Sequence, residues 1–314
     1  MSRLSTLRLA GAGVTAAVGL LAACSDSTGP TPSERAAQAF PSKPAAALGA
    51  TSDMIVFERR ENFGAANIFI VNPDGTGLTN VHSGESPSWS PDHSKIVFVL
   101  NRAIHIMNAD GTGVKALTTL GTQSRLPSFT ADGQKIVFIR DDARGRSDIF
   151  ITNVDGTNEK VLVKTANVNE TTARFSPDGT KLAYTRIRRD DQVELVVQDM
   201  ATGRRTIIGG LPTAQLFPAW SPDGKRLAFK TVSGSPTDCI AIVNADGTNR
   251  KSFPNGVPSC TSPSWSPDGT ELAFVSTEAG QTSVFRAKVD VAEPPTNVTP
   301  LAPNVADVTP VWSR

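Results

Sequence analysis

Six side chains that could bind or react hold one place in a repeating frame. Glu85, Arg125, Glu170, Gln215, Cys260 and Asp307 each stand four or five residues before an aromatic, at Trp89, Phe129, Phe175, Trp220, Trp265 and Trp312. They vary from copy to copy while the frame stays constant. A binding rim shows that pattern, and so does unconstrained surface. Arg174 is a further candidate, because the other copies carry Ser, Ala or Val there. The expected role is to bind a protein or peptide partner at this rim. The acids alone, Glu85, Glu170 and Asp307, offer the alternative of paired carboxylates working on a carbohydrate, which depends on their separation.

The other reactive residue types point away from catalysis. His82, His93 and His105 fall near the end of an outer strand, in a turn and in a third strand. They share neither a face nor a ligand spacing, so no metal site is expected. There is no Gly-x-Ser-x-Gly elbow to present a nucleophile. Asp-Gly pairs recur, but without the further acidic ligands at alternate positions that a calcium loop needs. The expectation is a protein that is not an enzyme and has no cofactor.

The elements that position these residues are legible in a ten-residue phrase, represented by Pro263-Ser-Trp-Ser-Pro-Asp-Gly-Thr-Glu-Leu272. Five copies are present, and a truncated sixth, Pro310-Val-Trp-Ser-Arg314, ends the chain. Spacings between the aromatics are 40, 46, 45, 45 and 47 residues. A period in the forties with short strands is the signature of a β-propeller with one four-stranded blade per repeat. Ser-Pro-Asp-Gly is a turn: Pro presets φ, Asp bonds locally and Gly accepts positive φ. Ala131 replaces the proline in one copy and His93 the glycine in another, which should make those two turns less favourable. A second phrase, as in Asn108-Ala-Asp-Gly-Thr-Gly113, is a hairpin signal between apolar runs. The predicted fold is all-β: a six-bladed propeller of four-stranded blades over residues 51–314. The chain enters it at Met54-Ile-Val-Phe57 and leaves on Thr309-Pro-Val-Trp312, so one blade is closed by both chain ends.

The repeated Trp-Ser-Pro-Asp-Gly-x-x-Leu-Ala-Phe phrase resembles the propeller repeat of the TolB family, a relative of the WD repeat. The resemblance covers roughly residues 51–314. It implies a periplasmic binding platform, since TolB holds a peptidoglycan-associated lipoprotein and parts of the Tol system. TolB carries an α/β domain before its propeller, where this chain has a short polar segment. The same repeat type occurs in prolyl-oligopeptidase-like peptidases, whose chemistry resides in a separate hydrolase domain, in tricorn-like proteases and in many envelope proteins; the oligogalacturonate lyases of the wider propeller group resemble the fold but need clustered histidines.

The amino terminus suggests how such a platform is held. Arg3 and Arg8 precede an apolar Leu9–Leu21 stretch, and Leu21-Ala-Ala-Cys24 resembles a bacterial lipobox. The expectation is a signal peptide over 1–23 and a lipidated Cys24; an ordinary signal peptide cut near Ala23 or a signal anchor are the alternatives. Acyl chains on Cys24 would hold the protein at a membrane, and Ser25 favours the periplasmic face of the outer membrane. Residues 24–50, rich in Ser, Thr, Pro and Ala, read as a disordered linker. Cys239 and Cys260 remain as an even pair, a disulfide in an oxidising compartment or two free thiols. With 31 basic and 30 acidic residues there is no field for nucleic acid. The densest basic run, Arg186-Ile-Arg-Arg189, is followed directly by Asp190 and Asp191 and reads as a solvated loop. The expected partners are an envelope protein or peptide and, through the anchor, a membrane; the chain is expected to be a monomer.

Overall fold

A computed structural model describes residues 53–62, 64–190, 192–208, 216–231, 239–253, 259–278, 281–291, 293–299 and 304–313. The expected signal peptide, Cys24, the linker and Gln215 lie outside the described residues.

Alternating apolar runs bounded by Asp-Gly turns fold as antiparallel strands. The first group is β1 (Ile55–Glu61), β2 (Ala66–Val71) and β3 (Thr79–Ser83). Next come β4 (Glu85–Trp89), β5 (Lys95–Leu100), β6 (Ala103–Asn108) and β7 (Lys115–Ala116), followed by β8 (Ser124–Phe129), β9 (Lys135–Asp141), β10 (Ser147–Asn153) and β11 (Lys160–Val163). A further set is β12 (Asn169–Phe175), β13 (Lys181–Ile187), β14 (Val193–Asp199) and β15 (Arg205–Ile208), then β16 (Leu216–Trp220), β17 (Arg226–Lys230), β18 (Ile240–Asn244) and β19 (Lys251–Ser252). The chain continues through β20 (Thr261–Trp265), β21 (Glu271–Glu278), β22 (Gln281–Lys288) and β23 (Thr296–Asn297) to β24 (Val305–Trp312).

Among the described residues these strands form an all-β propeller of four separate four-stranded sheets and one eight-stranded sheet. Six separate sheets were expected. The difference lies at the seam: β22 and β24 run side by side and meet in a single parallel pair, Thr282 with Ala306, which joins two four-stranded groups. One of those groups contains both ends of the described chain. β24 lies antiparallel to β1, with Trp312 opposite Ile55 and Val305 opposite Glu61. Ser313 N–H donates to the Met54 carbonyl and Met54 N–H to the Ser313 hydroxyl, each at 2.8 Å. A terminal strand held this way covers the edge of β1 that would otherwise be left unpaired.

Apolar faces meet between successive sheets rather than within them. Val56 and Ile68 pack with Trp89 and Phe98, Val97 with Phe129 and Phe138, and Val137 with Leu182 and Tyr184. The series continues with Ala183 against Trp220, Ala228 against Trp265, and Ala273 against Ile55 and Trp312. Hydrogen bonds stitch the same seams. Trp220 Nε1 donates to the Arg174 carbonyl at 3.0 Å and Trp265 Nε1 to the Ala219 carbonyl at 3.1 Å; Trp312 Nε1 instead donates to the Asp53 carboxylate at the entry to β1, its own pairing partner.

Both turn types form as their residues require. In Ser176-Pro-Asp-Gly the Ser176 hydroxyl donates to Asp178 at 2.5 Å, and Asp178 accepts the Thr180 N–H at 3.0 Å. His93 adopts φ 59° where the other copies have glycine. The outer Asp-Gly turns reach the outermost strand of the preceding sheet. A Cβ on Gly156 would stand 2.9 Å from the Leu117 carbonyl oxygen, and one on Gly111 would collide with that of Val81.

Candidate functional site

Each innermost strand carries a β-bulge at the same place, three residues before its aromatic. Ser86, Leu126, Thr172, Phe217, Ser262 and Thr309 all adopt left-handed backbone, with φ between 50° and 56°. The strand register shifts beside each of them. Five of the six precede a proline, which cannot supply a ladder N–H. A bulge bends its strand and re-aims the side chain at it. Left-handed backbone at a non-glycine residue costs on the order of 1 kcal/mol each and persists only where the surroundings hold it.

Below this ring lies a cavity of about 320 Å³, lined by residues of all six innermost strands. It runs from the bulges to the prolines of the Ser-Pro-Asp-Gly turns, among them Pro91, Pro177, Pro222 and Pro267. Trp89, Phe129, Phe175 and Trp312 contribute to its wall. One residue before each aromatic stand Ser88, Ser128, Arg174, Ala219, Ser264 and Val311, and all six line the space. Five of those are small or aliphatic and uncharged; Arg174 is the only charged side chain in the described lining. Its Nη1 donates to the Ala173 carbonyl at 2.9 Å.

The residues expected to form a rim divide. The cavity lies toward the turn end of the innermost strands, whereas Glu85, Arg125, Glu170, Cys260 and Asp307 belong to the opposite, starting end, and none of these lines it. Glu85 is exposed and pairs with Arg60 at 3.1 Å. Arg125 is half-buried; it donates to Asp141 at 2.9 Å, to the Ser147 hydroxyl at 2.9 Å and to Thr171 of the next sheet at 3.3 Å. Glu170 and Asp307 are fully buried, which corrects their expected place on a solvent-facing rim. Position in the repeat turned them into the wall between sheets. Asp307 is held by Arg59, and Cys260 is disulfide-bonded to Cys239 with a Cα separation of 5.3 Å. Among the expected residues that are described, Arg174 alone reaches the cavity.

Glu170 is the electrostatic exception. Neither carboxylate oxygen has a hydrogen-bond partner, although Arg186 lies directly opposite in the strand register. Arg186 donates instead to Glu194 at 2.6 Å. Burial pushes the Glu170 carboxyl above its ordinary range; the Thr165 hydroxyl is close enough to oppose that shift but is not in hydrogen-bond geometry. Glu58, which the sequence reading passed over, is also buried and also pushed up by burial, against the Ser86 N–H and Arg60. It accepts the Ser86 N–H at 2.9 Å and so holds one bulge of the ring. Its signal was a charge placed directly at the end of the apolar run Met54-Ile-Val-Phe57.

His82 and His105 flank the ring of Phe98 at 5.3 and 5.7 Å between centroids, a packing arrangement rather than a ligand pair. Among the described residues no group of three or more His, Cys, Asp or Glu converges as a metal site would require. The three acids proposed for carbohydrate chemistry do not gather: Glu85 faces solvent, Asp307 is tied to Arg59, and Glu170 is enclosed.

The profile of the TolB beta propeller domain matches residues 142–313. The Protein TolB homolog of Chlorobaculum tepidum is 27% identical over 169 residues, covering 49% of this chain and 38% of that protein. Dipeptidyl-peptidase 5 of Porphyromonas gingivalis is 29% identical over 138 residues, covering 40% of this chain and 20% of that protein. The chain thus spans well under half the length of both relatives. In three dimensions it is similar to the crystal structure of TolB from Acinetobacter baumannii, with a TM-score of 0.72 at 22% identity, covering 84% of this chain and 67% of that one.

Proposed function

The chain belongs to the TolB beta propeller domain family, and on that premise we propose that it is a lipid-anchored, non-enzymatic cell-envelope propeller that binds a protein or peptide partner at its central channel. In this reading the eight-stranded sheet counts as two blades, giving six around one channel, and the blade at the seam is closed by both chain ends. Residues 1–23 are the signal peptide, Cys24 is acylated, and 24–50 tether the propeller to the periplasmic face of the outer membrane.

The observation that carries the binding role is the cavity to which all six innermost strands contribute. Its size falls in the range of ligand pockets, and its wall combines aromatic and proline surface with a few polar groups. Glu85 and Arg125, at the opposite mouth, form a subordinate contact.

Capture from solubilised envelopes tests the reading. Ser128→Phe should fill the cavity and abolish recovery of the partner while leaving the melting temperature within a few degrees of wild type. Equal recovery by wild type and a folded Ser128→Phe protein would contradict it. Replacing Cys24 by Ser should move the protein from the membrane to the soluble fraction.

A further inference from the structure

Arg186, Arg188 and Arg189 cluster where β13 turns back into β14, beside the start of the innermost strand β12, whose Asn169 lies opposite Ile187. Arg188 N–H donates to the Gln192 carbonyl at 2.9 Å and closes the turn. The three arginines line an open groove of about 410 Å³, together with Asp190 and, from the segment leading into β12, Asn167 and Val168. This groove lies at the end of the propeller away from the channel cavity and shares no lining residue with it. We propose that it is an anion site for a phosphate group, borne by a soluble phosphate ester or by a phospholipid headgroup. The inference goes beyond the channel reading and does not depend on it.

Arg188 and Arg189 are both exposed, and neither is closely matched by a carboxylate among the described residues. Arg188 meets Asp190 at 3.5 Å and Glu194 at 3.6 Å, longer than the roughly 2.7–2.9 Å of a charge-assisted hydrogen bond. Arg189 donates to a neutral acceptor, the Asn167 amide oxygen. Glu194 is engaged by Arg186, whose Nε donates to it at 2.6 Å, and Glu170, opposite Arg186 in the register, is enclosed and accepts no bond from it. Together the three guanidinium groups carry more N–H donors than these acceptors can take. Glu194 fixes Arg186 and Asn167 fixes Arg189, so two of the three are held in place before a ligand arrives, which lowers the cost of ordering them. The number of converging forks selects the ligand. One guanidinium suffices to fill a carboxylate, whereas a phosphate presents further acceptor oxygens and takes several forks at once. The groove also has room for the group that carries the phosphate.

Binding by the exported protein carrying Cys24→Ser, which excludes an acyl chain, tests this at physiological salt. The soluble probe is glycerol 3-phosphate, titrated calorimetrically with acetate as its control. The membrane probe is sedimentation with vesicles of phosphatidylglycerol in phosphatidylcholine, with phosphatidylcholine alone as control. At least one phosphate probe should bind at least tenfold more tightly than its control. Preference for glycerol 3-phosphate alone identifies a soluble ester as the source, and preference for the phosphatidylglycerol vesicles identifies a headgroup. Arg188→Gln/Arg189→Gln should lose the preference while keeping its melting temperature. Arg144→Gln/Arg146→Gln, which removes the same charge from the exposed turn between β9 and β10, should retain it. No preference for either phosphate probe, retention of the preference in Arg188→Gln/Arg189→Gln, or an equal loss in Arg144→Gln/Arg146→Gln would overturn the proposal, the last by showing general surface charge in place of a site.

Discussion

Arg59 and Asp307 face each other across the first and last strands, and the guanidinium bonds both carboxylate oxygens, Nε to Oδ1 at 2.6 Å and Nη2 to Oδ2 at 2.8 Å. They are register partners in the pairing of β1 with β24, and both are buried. Arg59 also lies over the rings of Phe57 and Phe69, at 5.4 and 5.0 Å. Removing one partner strands the other charge in the interior. Asp307→Ala should therefore lower stability by about 3–5 kcal/mol. The double variant Arg59→Met/Asp307→Leu should recover most of that loss, because no uncompensated charge remains. Urea unfolding of the three proteins checks this; a double variant as unstable as the single one would contradict it.

Glu170 occupies the corresponding place opposite Arg186 but is unpaired, and the pH dependence follows from the sign of its shift. Its carboxyl titrates higher in the folded chain than in the unfolded one. As pH rises above the ordinary carboxylate range the unfolded state ionises first, so stability falls. Glu170→Met should raise stability by about 1–3 kcal/mol at neutral pH, with the gain shrinking toward zero below pH about 4. Thermal unfolding across that interval is the measurement; a gain independent of pH would contradict the assignment.

Asp178 behaves in the opposite sense. The Ser176 hydroxyl and then the Thr180 N–H hold its carboxyl down to about 2, from an ordinary 3.8. A depressed value means stability that is present above the unfolded value and lost as pH falls through the folded one. Asp178→Asn should flatten the acid limb of the melting curve between pH 4 and 2, and an unchanged limb would count against the turn as a source of acid sensitivity.

Fold and site were unequally readable. The aromatic period and the Ser-Pro-Asp-Gly turns announced a propeller because turn chemistry and burial are local and repeated. The seam was readable too, since Trp312 completes a phrase whose continuation begins at Met54. What could not be read was direction. Counting back four or five residues from the aromatic mixed two neighbouring positions of the strand: Glu85 and Arg125 stand four before it and reach solvent at least in part, whereas Glu170, Cys260 and Asp307 stand five before it and are buried. No single residue type marks the bulge three residues before the aromatic, because Ser, Leu, Thr and Phe all occupy it. Arg174 was visible only as a departure from its neighbours.

Two glycines with similar backbone separate conformational from steric cost. Gly111 at φ 84° lies against the Val81 carbonyl, whereas Gly121 at φ 76° has open space where a Cβ would stand. Gly121→Ala should cost about 1–2 kcal/mol for the left-handed backbone alone. Gly111→Ala should cost more, since the turn must also withdraw from the neighbouring sheet. Equal losses in urea unfolding would show that the outer turns do not brace adjacent sheets.

Reduction should weaken the blade that follows Cys239. The Cys239–Cys260 bond spans 21 residues, and closing a loop of that size contributes about 3 kcal/mol. Peptide mapping of exported, non-reduced protein should recover the linked pair, and the Cys239→Ser/Cys260→Ser variant should unfold at correspondingly lower urea.

The channel's role is tested most directly by placing a photoreactive benzoylphenylalanine at single positions in cells and reading which ones capture a partner. At Ala219, which lines the cavity, the account predicts a discrete cross-linked protein or peptide; at Ile207, exposed on an outer strand, it predicts none. Capture from Ile207 with nothing from Ala219 would contradict it.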